Sequence, residues 1–183
     1  MSSVPKSKRD KSDFQALTSL NQLRDEVTKL MLNDFGFSEE KYKARMERYR
    51  SAHKNSRNVD EVVARMEKKS KAFNQWFIDR ECDIVLEILR EICEEFHTAN
   101  SIYPSDTSAF TEEFNARRLH LDNAIAKCYV LSHELEYIFR TLPVDLNKYK
   151  RFDDAITEQV NLFKGVRKSD NRFLRSRKTK AEK

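Results

Sequence analysis

Apolar positions along this chain recur at intervals of three and four residues, the spacing that aligns one face of an α-helix. Leu20, Leu23, Val27 and Leu30 repeat in this way and predict a first helix from about Phe14 to Asp34, ended by Asn33, Asp34, Phe35 and Gly36. Ser38 stands where an N-cap is needed for a second helix, whose buried side would be Tyr42, Met46, Tyr49 and His53. A polar run over 54–58 interrupts the pattern, and Asn58 with Glu61 has the form of a capping box that opens a third helix. This helix should run from Val59 to about His97 on a drifting stripe of Val62, Met66, Phe73, Phe77, Ile84, Ile88 and Ile92. Roughly forty residues would span close to 60 Å, a length at which a compact domain often kinks or breaks a helix.

A loop over 98–108, containing Pro104, then reverses the chain. In the fourth helix Phe114, Leu121, Ala124, Cys128, Leu131, Leu135, Ile138 and Leu142 hold an a/d register up to the stop at Pro143. Asp145 can cap a fifth helix carrying Tyr149, Phe152, Ile156, Val160 and Phe163 on one face, to about Arg167.

Composition narrows this to an all-α antiparallel bundle of four to five helices. Of 183 residues only two are Gly and three Pro, too few for the turns of a sheet-rich protein. With 36% charged and 39% hydrophobic residues, each helix has enough apolar surface for one buried stripe and no more. The expected organisation is a basic tail over 1–12, a bundle over 13–166 and a basic tail over 167–183, the tails partly disordered. No stretch approaches the ~20 apolar residues of a membrane span, and Met1 to Lys11 lacks a signal peptide's apolar core, so the expected location is cytoplasmic. Cys82, Cys93 and Cys128 show neither a disulfide framework nor metal-ligand spacing and read as small buried apolar residues.

The charge is unevenly distributed. Residues 167–183 carry a net +6 and residues 1–12 a net +3, while the whole chain is only +5. Within the body, Lys41, Lys43, Arg45, Arg48, Arg50, Lys54 and Arg57 face a single acid, Glu47. In contrast Glu81, Asp83, Glu87, Glu91, Glu94 and Glu95 outnumber Arg90. Basic tails and a basic helix make the phosphate-neutralising footprint of a nucleic-acid binder, provided these cations converge on one region. The alternative is pairing of the basic second helix with the acidic third, within or between chains. Tyr42 and Tyr49 interleave with the cations and would either stack on bases or join the core.

Catalytic and metal chemistry find little support. Glu94 and His97 have the Glu-x-x-His spacing of di-iron bundles, but such sites need a second copy, and His53, His120 and His133 each lack a Glu three residues before them. His133 and Glu134 lack the second His of H-E-x-x-H, and no Gly-rich phosphate loop or nucleophile motif occurs. Arg117, Arg118 and His120 can bind a phosphate or merely begin a solvated helix; Trp76 reads as a packing or subunit-contact residue. The expectation is no catalytic residue, no metal and no cofactor.

The run from Leu121 to Leu131 with Glu134 and Leu135, a loop, Ile156 to Val160, and then Gly165 to Arg172, resembles the end of a bacterial four-helix-bundle family. That family comprises the accessory variability determinants of diversity-generating retroelements and proteins encoded by ribosomal RNA intervening sequences. The resemblance covers about Phe114 to Arg172, a third of the chain. It implies a homo-oligomer, pentameric in the accessory proteins, that binds a reverse transcriptase and its template RNA and DNA through a basic surface and does no catalysis. Carried over, Arg167, Lys168, Arg172 and the following Arg175, Arg177 and Lys178 would be nucleic-acid contacts. The family's usual tryptophan near the last helix is replaced here by Phe163 or Val166, and the basic segment 41–57 has no counterpart in it.

The function expected is therefore that of a non-catalytic RNA- or DNA-binding accessory protein scaffolding a bacterial or phage retroelement reverse transcriptase. The alternative is a protein–protein scaffold with no nucleic-acid role, in which the acidic and basic helices pair across subunits.

Overall fold

The computed structural model describes residues 13–54, 57–104, 110–142 and 144–181, and the side chains of these except 13, 14, 66, 69–72 and 175–181. Five α-helices follow one another: α1 (Asp13–Leu32), α2 (Glu39–Ala52), α3 (Val59–Ser101), α4 (Phe110–Thr141) and α5 (Asn147–Ala181). The fold is all-α, and no strand occurs among the described residues. Four of the helices close a ring of contacts, α1 on α3, α3 on α4, α4 on α5 and α5 on α1. Side-chain pairings show that neighbours run antiparallel. Phe77 of α3 meets Tyr137 near the end of α4, while Arg117 near the start of α4 reaches Ala99 near the end of α3. Likewise Arg151 of α5 pairs with Glu26 at 3.2 Å, and Gln159 donates to the Ala16 carbonyl at 3.1 Å.

The core fills the space between these four helices. All eight a/d positions expected in α4 are buried, because α3 and α5 flank this helix and cover a wide stripe. Phe96 and Phe163, both fully buried, pack with ring centroids 4.7 Å apart across the centre. Phe152, Ile156, Val160 and Phe163 line the inner face of α5, with Tyr149 half-buried above them. The Asn147 N–H at the start of α5 donates to Asp145 Oδ1 at 3.0 Å, the cap expected of that residue. Cys93 and Cys128 are buried and Cys82 is half-buried against the core. Burial pushes the Cys128 thiol up to about 12.

A tight turn ends α1. Asp34, Phe35 and Gly36 all have positive φ, at 49°, 54° and 79°. Left-handed backbone costs an L-residue roughly 1–2 kcal/mol. Phe35 is nonetheless held there because its ring is fully buried in the core. At Gly36 the positive φ calls for glycine, while a Cβ would meet only the flexible end of exposed Lys148, 3.1 Å from its Nζ, which can swing aside.

Several sequence expectations are corrected. Helix α3 is one unbroken element of 43 residues, about 65 Å long. Its first described residue in the continuous core is Phe77; of the predicted stripe Val62 is 39% and Phe73 47% exposed, the Met66 side chain lies outside the described ones, Phe77, Ile88 and Ile92 are buried and Ile84 is half-buried. Residues 59–76 instead project beyond the bundle and pair with α2 as a helical hairpin. The expected buried side of α2 is not buried: Tyr42, Met46 and Tyr49 are half-covered and His53 is exposed, because α2 leans on one helix instead of lying between two. Ser38 and Asn58 stand at the N-cap positions of α2 and α3 as expected, but neither makes a side-chain cap hydrogen bond, so the capping box does not form. At the other end, α5 continues past Arg167 to Ala181, so residues 167–181 are helix where a tail was expected. Lys and Arg are good helix formers, and their density did not signal an end. Residues 1–12 and Pro143 lie outside the described residues.

Candidate nucleic-acid interface

The hairpin of α2 and the first turns of α3 carries the basic segment. Seven of its residues are cationic against one acid over 41–57; Lys54 and Arg57, between the two helices, stand at the far tip, while Lys43 near the start of α2 lies level with Ala64 and Lys68 of α3. Arg50, half-buried at the crossing, pairs with Asp60 at 3.3 Å and ties the two helices together. Lys41, Lys43, Arg45, Arg48, Lys54 and Arg57 are exposed, with no ion-pair partner among the described residues. Such cations lose little by exchanging solvent counterions for phosphates. Between the helices lies a cleft of about 550 Å³, lined by Phe37, Tyr42, Lys43, Arg50, Ala64 and Lys68 among others. Tyr49 stacks on His53 with centroids 4.2 Å apart, and His53 Nδ1 lies 3.0 Å from the Tyr49 carbonyl, which closes the end of α2.

The second basic group lies elsewhere. Arg117 is buried; its Nε donates to Asp170 at 2.8 Å and its Nη1 to the Ala99 carbonyl at 2.7 Å, which fixes α5 residue 170 beside the end of α3. Lys168 and Arg172, both exposed, therefore sit at the opposite end of α3 from the hairpin, about 60 Å away along the helix. The expected convergence of all the cations into one region does not occur, since α3 runs the length of the molecule and separates them. Arg167 is half-buried and pairs with Asp122, so its charge serves the joint between α4 and α5. Arg175, Arg177 and Lys178 stand on helical backbone, and their side chains lie outside the described ones.

The start of α4 is likewise self-satisfied. Besides Arg117, Arg118 lies 3.8 Å from Asp122, and His120 Nδ1 lies 2.6 Å from Glu95 Oε2. The trio considered for phosphate thus faces carboxylates of its own chain. The acidic run of α3 is engaged by α4 rather than by α2: Lys127 pairs with Glu91 at 2.6 Å and Asn123 donates to Glu95 at 3.2 Å. Pairing of the basic α2 with this run within the chain is excluded by position, because α2 lies against residues 60–68.

Glu94 and His97 are both exposed, with Glu94 3.9 Å from Arg90. No group of three or more potential metal ligands occurs among the described residues. A different acidic pair is buried. Glu81 of α3 is 4% exposed and shares a hydrogen bond with Glu134 of α4, while its Oε2 has no partner among the described residues. Burial first, and the neighbouring Glu134 second, push the Glu81 carboxyl up to about 7, against a smaller opposing pull from Arg80.

The feature that sequence reasoning missed is a group of aromatic rings where α3 leaves the bundle. Phe73, Trp76 and Tyr137 are 47%, 56% and 53% exposed, although helical spacing had assigned Phe73 to the buried stripe. The spacing of residue types cannot show that α3 has outrun its neighbours at this point. No described helix is long and apolar enough to cross a membrane. Among known proteins, no family model, no curated protein and no solved structure matches this chain.

Proposed function

We propose that this chain is a non-catalytic nucleic-acid-binding scaffold, in which the four-helix bundle is the rigid body and the α2–α3 hairpin is the part that grips phosphates. The observation that supports this reading is the set of six exposed cations on the hairpin without carboxylate partners among the described residues. Elsewhere the cations divide between paired ones such as Lys127, Arg140, Arg151 and Arg167 and others without an ion pair among the described residues such as Lys29, Lys148 and Lys150, but these are not gathered on one short segment. Lys168 and Arg172 at the far end are a second, separate contact region in this reading.

The test is binding of structured RNA and duplex DNA by fluorescence anisotropy across a salt series. Each phosphate neutralised on duplex DNA contributes about 0.9 to the slope of log affinity against log salt, so four to six contacts lower affinity by roughly two to three orders of magnitude between 50 and 200 mM salt. Reversing Lys41, Arg45 and Arg48 to Glu should remove most of that binding while leaving the bundle folded. Salt-independent binding, or full affinity in the triple variant, would overturn the reading.

The finer assignment, an accessory protein of a retroelement reverse transcriptase acting as a homo-oligomer, is supported by the resemblance over Phe114 to Arg172. Its test is co-purification with a reverse transcriptase encoded beside the gene, together with mass determination by light scattering. A monomer that ignores that enzyme would reject it and leave the nucleic-acid reading standing.

A further inference from the structure

One turn inside the contact of Phe77 with Tyr137, where α3 enters the bundle, two carboxyl groups meet across the α3–α4 interface. Glu81 is 4% exposed and shares a hydrogen bond with half-buried Glu134, while its Oε2 is buried without a partner among the described residues. Two ionised carboxylates in this position would repel each other with little water to screen them, so the contact depends on a proton. The charges nearby do not replace it. On α3, Arg80 pulls weakly on Glu81, and its guanidinium is placed outward, 5.8 Å from the Trp76 ring centroid. Asp79 and Asp83 of α3 and Asp34 of the turn after α1 are acids, and with Glu81 they add to the effect of burial in raising the adjacent Cys82 thiol. On α4, His133 is exposed; Tyr149 and Asp153 of α5 engage Ser132, about 200° around α4 from Glu134. The rest of the interface is tied by groups that attract, Lys127 to Glu91 and Arg117 to the Ala99 carbonyl, so the root is where repulsion can part the two helices.

We propose that Glu81 and Glu134 form a proton-operated joint between α3 and α4, closed while the two carboxyls share a proton and loosened when that proton leaves. The joint sets how firmly the hairpin is carried, and it stands apart from what the hairpin binds. In the closed arrangement the pair is dry. In the loosened one the helices separate enough at this layer for water to reach both carboxylates, and each returns to its ordinary acidity. Burial first and Glu134 second push the closed Glu81 carboxyl up to about 7 from 4.5. Proton binding therefore favours the closed form fully below pH 4.5, progressively less as pH rises, and no longer above 7. Between pH 6 and 8 the ratio of closed to loosened falls about tenfold, since the closed form loses its proton there and the loosened one has already lost it.

The test is hydrogen–deuterium exchange of the full chain at pH 6 and 8, with rates corrected for the intrinsic pH dependence of amide exchange. Protection over 77–84 and 131–138 should fall about tenfold relative to 92–99 and 117–124 of the same two helices. In Glu81→Gln that relative fall should vanish. Trp76, the only tryptophan, lies just outside the pair beside Arg80, and its emission should change between pH 6 and 8 in the native chain but not in Glu81→Gln. Glu134→Gln should move the midpoint to lower pH without abolishing the change, because burial alone still holds the Glu81 proton. Protection at the root that is equal at pH 6 and 8 would overturn the joint. Protection that falls evenly along both helices would also overturn it, leaving Glu81 as a buried acid that lowers overall stability. Local loosening that persists in Glu81→Gln would assign the effect to other groups and reject the proposal.

Discussion

Replacing Glu81 by glutamine should stabilise the fold at pH 8 and leave it nearly unchanged at pH 5. The carboxyl sits almost fully covered between α3 and α4, sharing a hydrogen bond with Glu134, and titrates at about 7 instead of 4.5. A carboxyl with a raised pKa retains its proton in the folded state when the unfolded chain has already lost it. Stability is therefore greatest below pH 4.5 as far as this group is concerned, falls as pH rises through 4.5 to 7, and is level above. One pKa unit corresponds to about 1.4 kcal/mol, so ionising Glu81 costs no more than ~3.5 kcal/mol, and relaxation around the pair should bring the observed effect to about 1–2 kcal/mol. Glutamine keeps the shape, carries no charge and donates its amide to Glu134. Urea unfolding of both proteins at pH 5, 6.5 and 8 isolates the effect of the Glu81–Glu134 pair, because titrating groups remote from it cancel in the difference. A difference that is absent at pH 8, or that grows toward pH 5, would refute the assignment of a buried protonated acid.

Three further outcomes follow from other parts of the structure. Arg117→Met should cost about 3–5 kcal/mol in urea unfolding, since it strands Asp170 and takes a charged donor from the Ala99 carbonyl, which keeps only the Ile102 N–H at 3.3 Å, whereas Asp170→Asn should cost less. Gly36→Ala should lower stability by roughly 1–2 kcal/mol, read as a fall in Tm, because φ of 79° opposes a Cβ. Cys128, fully buried and with its thiol pushed up to about 12, should resist a disulfide-exchange reagent in the native protein and react only on unfolding, with Cys82 reacting first.

The bundle was legible in the sequence because its helices are symmetrically surrounded. Leu121, Leu131 and Leu135 recur at a/d spacing, and α4 lies between two neighbours, so local periodicity and actual burial coincide. The same reasoning misjudged Tyr42, Met46 and Phe73, which have equally good spacing but lie where only one helix is at hand. Periodicity reports which side of a helix is apolar and carries no information on whether anything covers it. The grouping of cations failed for a related reason. Proximity in the chain correctly gathered residues 41–57 on one hairpin, but the distance between that hairpin and Lys168 is set by the antiparallel stacking of α3, α4 and α5. The internal partners of Arg117, Arg167 and His120 come from residues between 18 and 53 positions away, beyond the reach of any local motif.

Helix α3 contains neither proline nor glycine from Val59 to Ser101, and so has none of the usual soft joints. The same continuous rod is both the spine of the outer hairpin and one of the four pillars of the bundle. A load applied at its tip has no hinge to dissipate it and is delivered to the layer around Phe77, where the bundle begins. Occupancy out at the hairpin is thereby felt as torque on the pillars, and amides of α3 and α4 near that layer should exchange with deuterium more slowly when the tip is held.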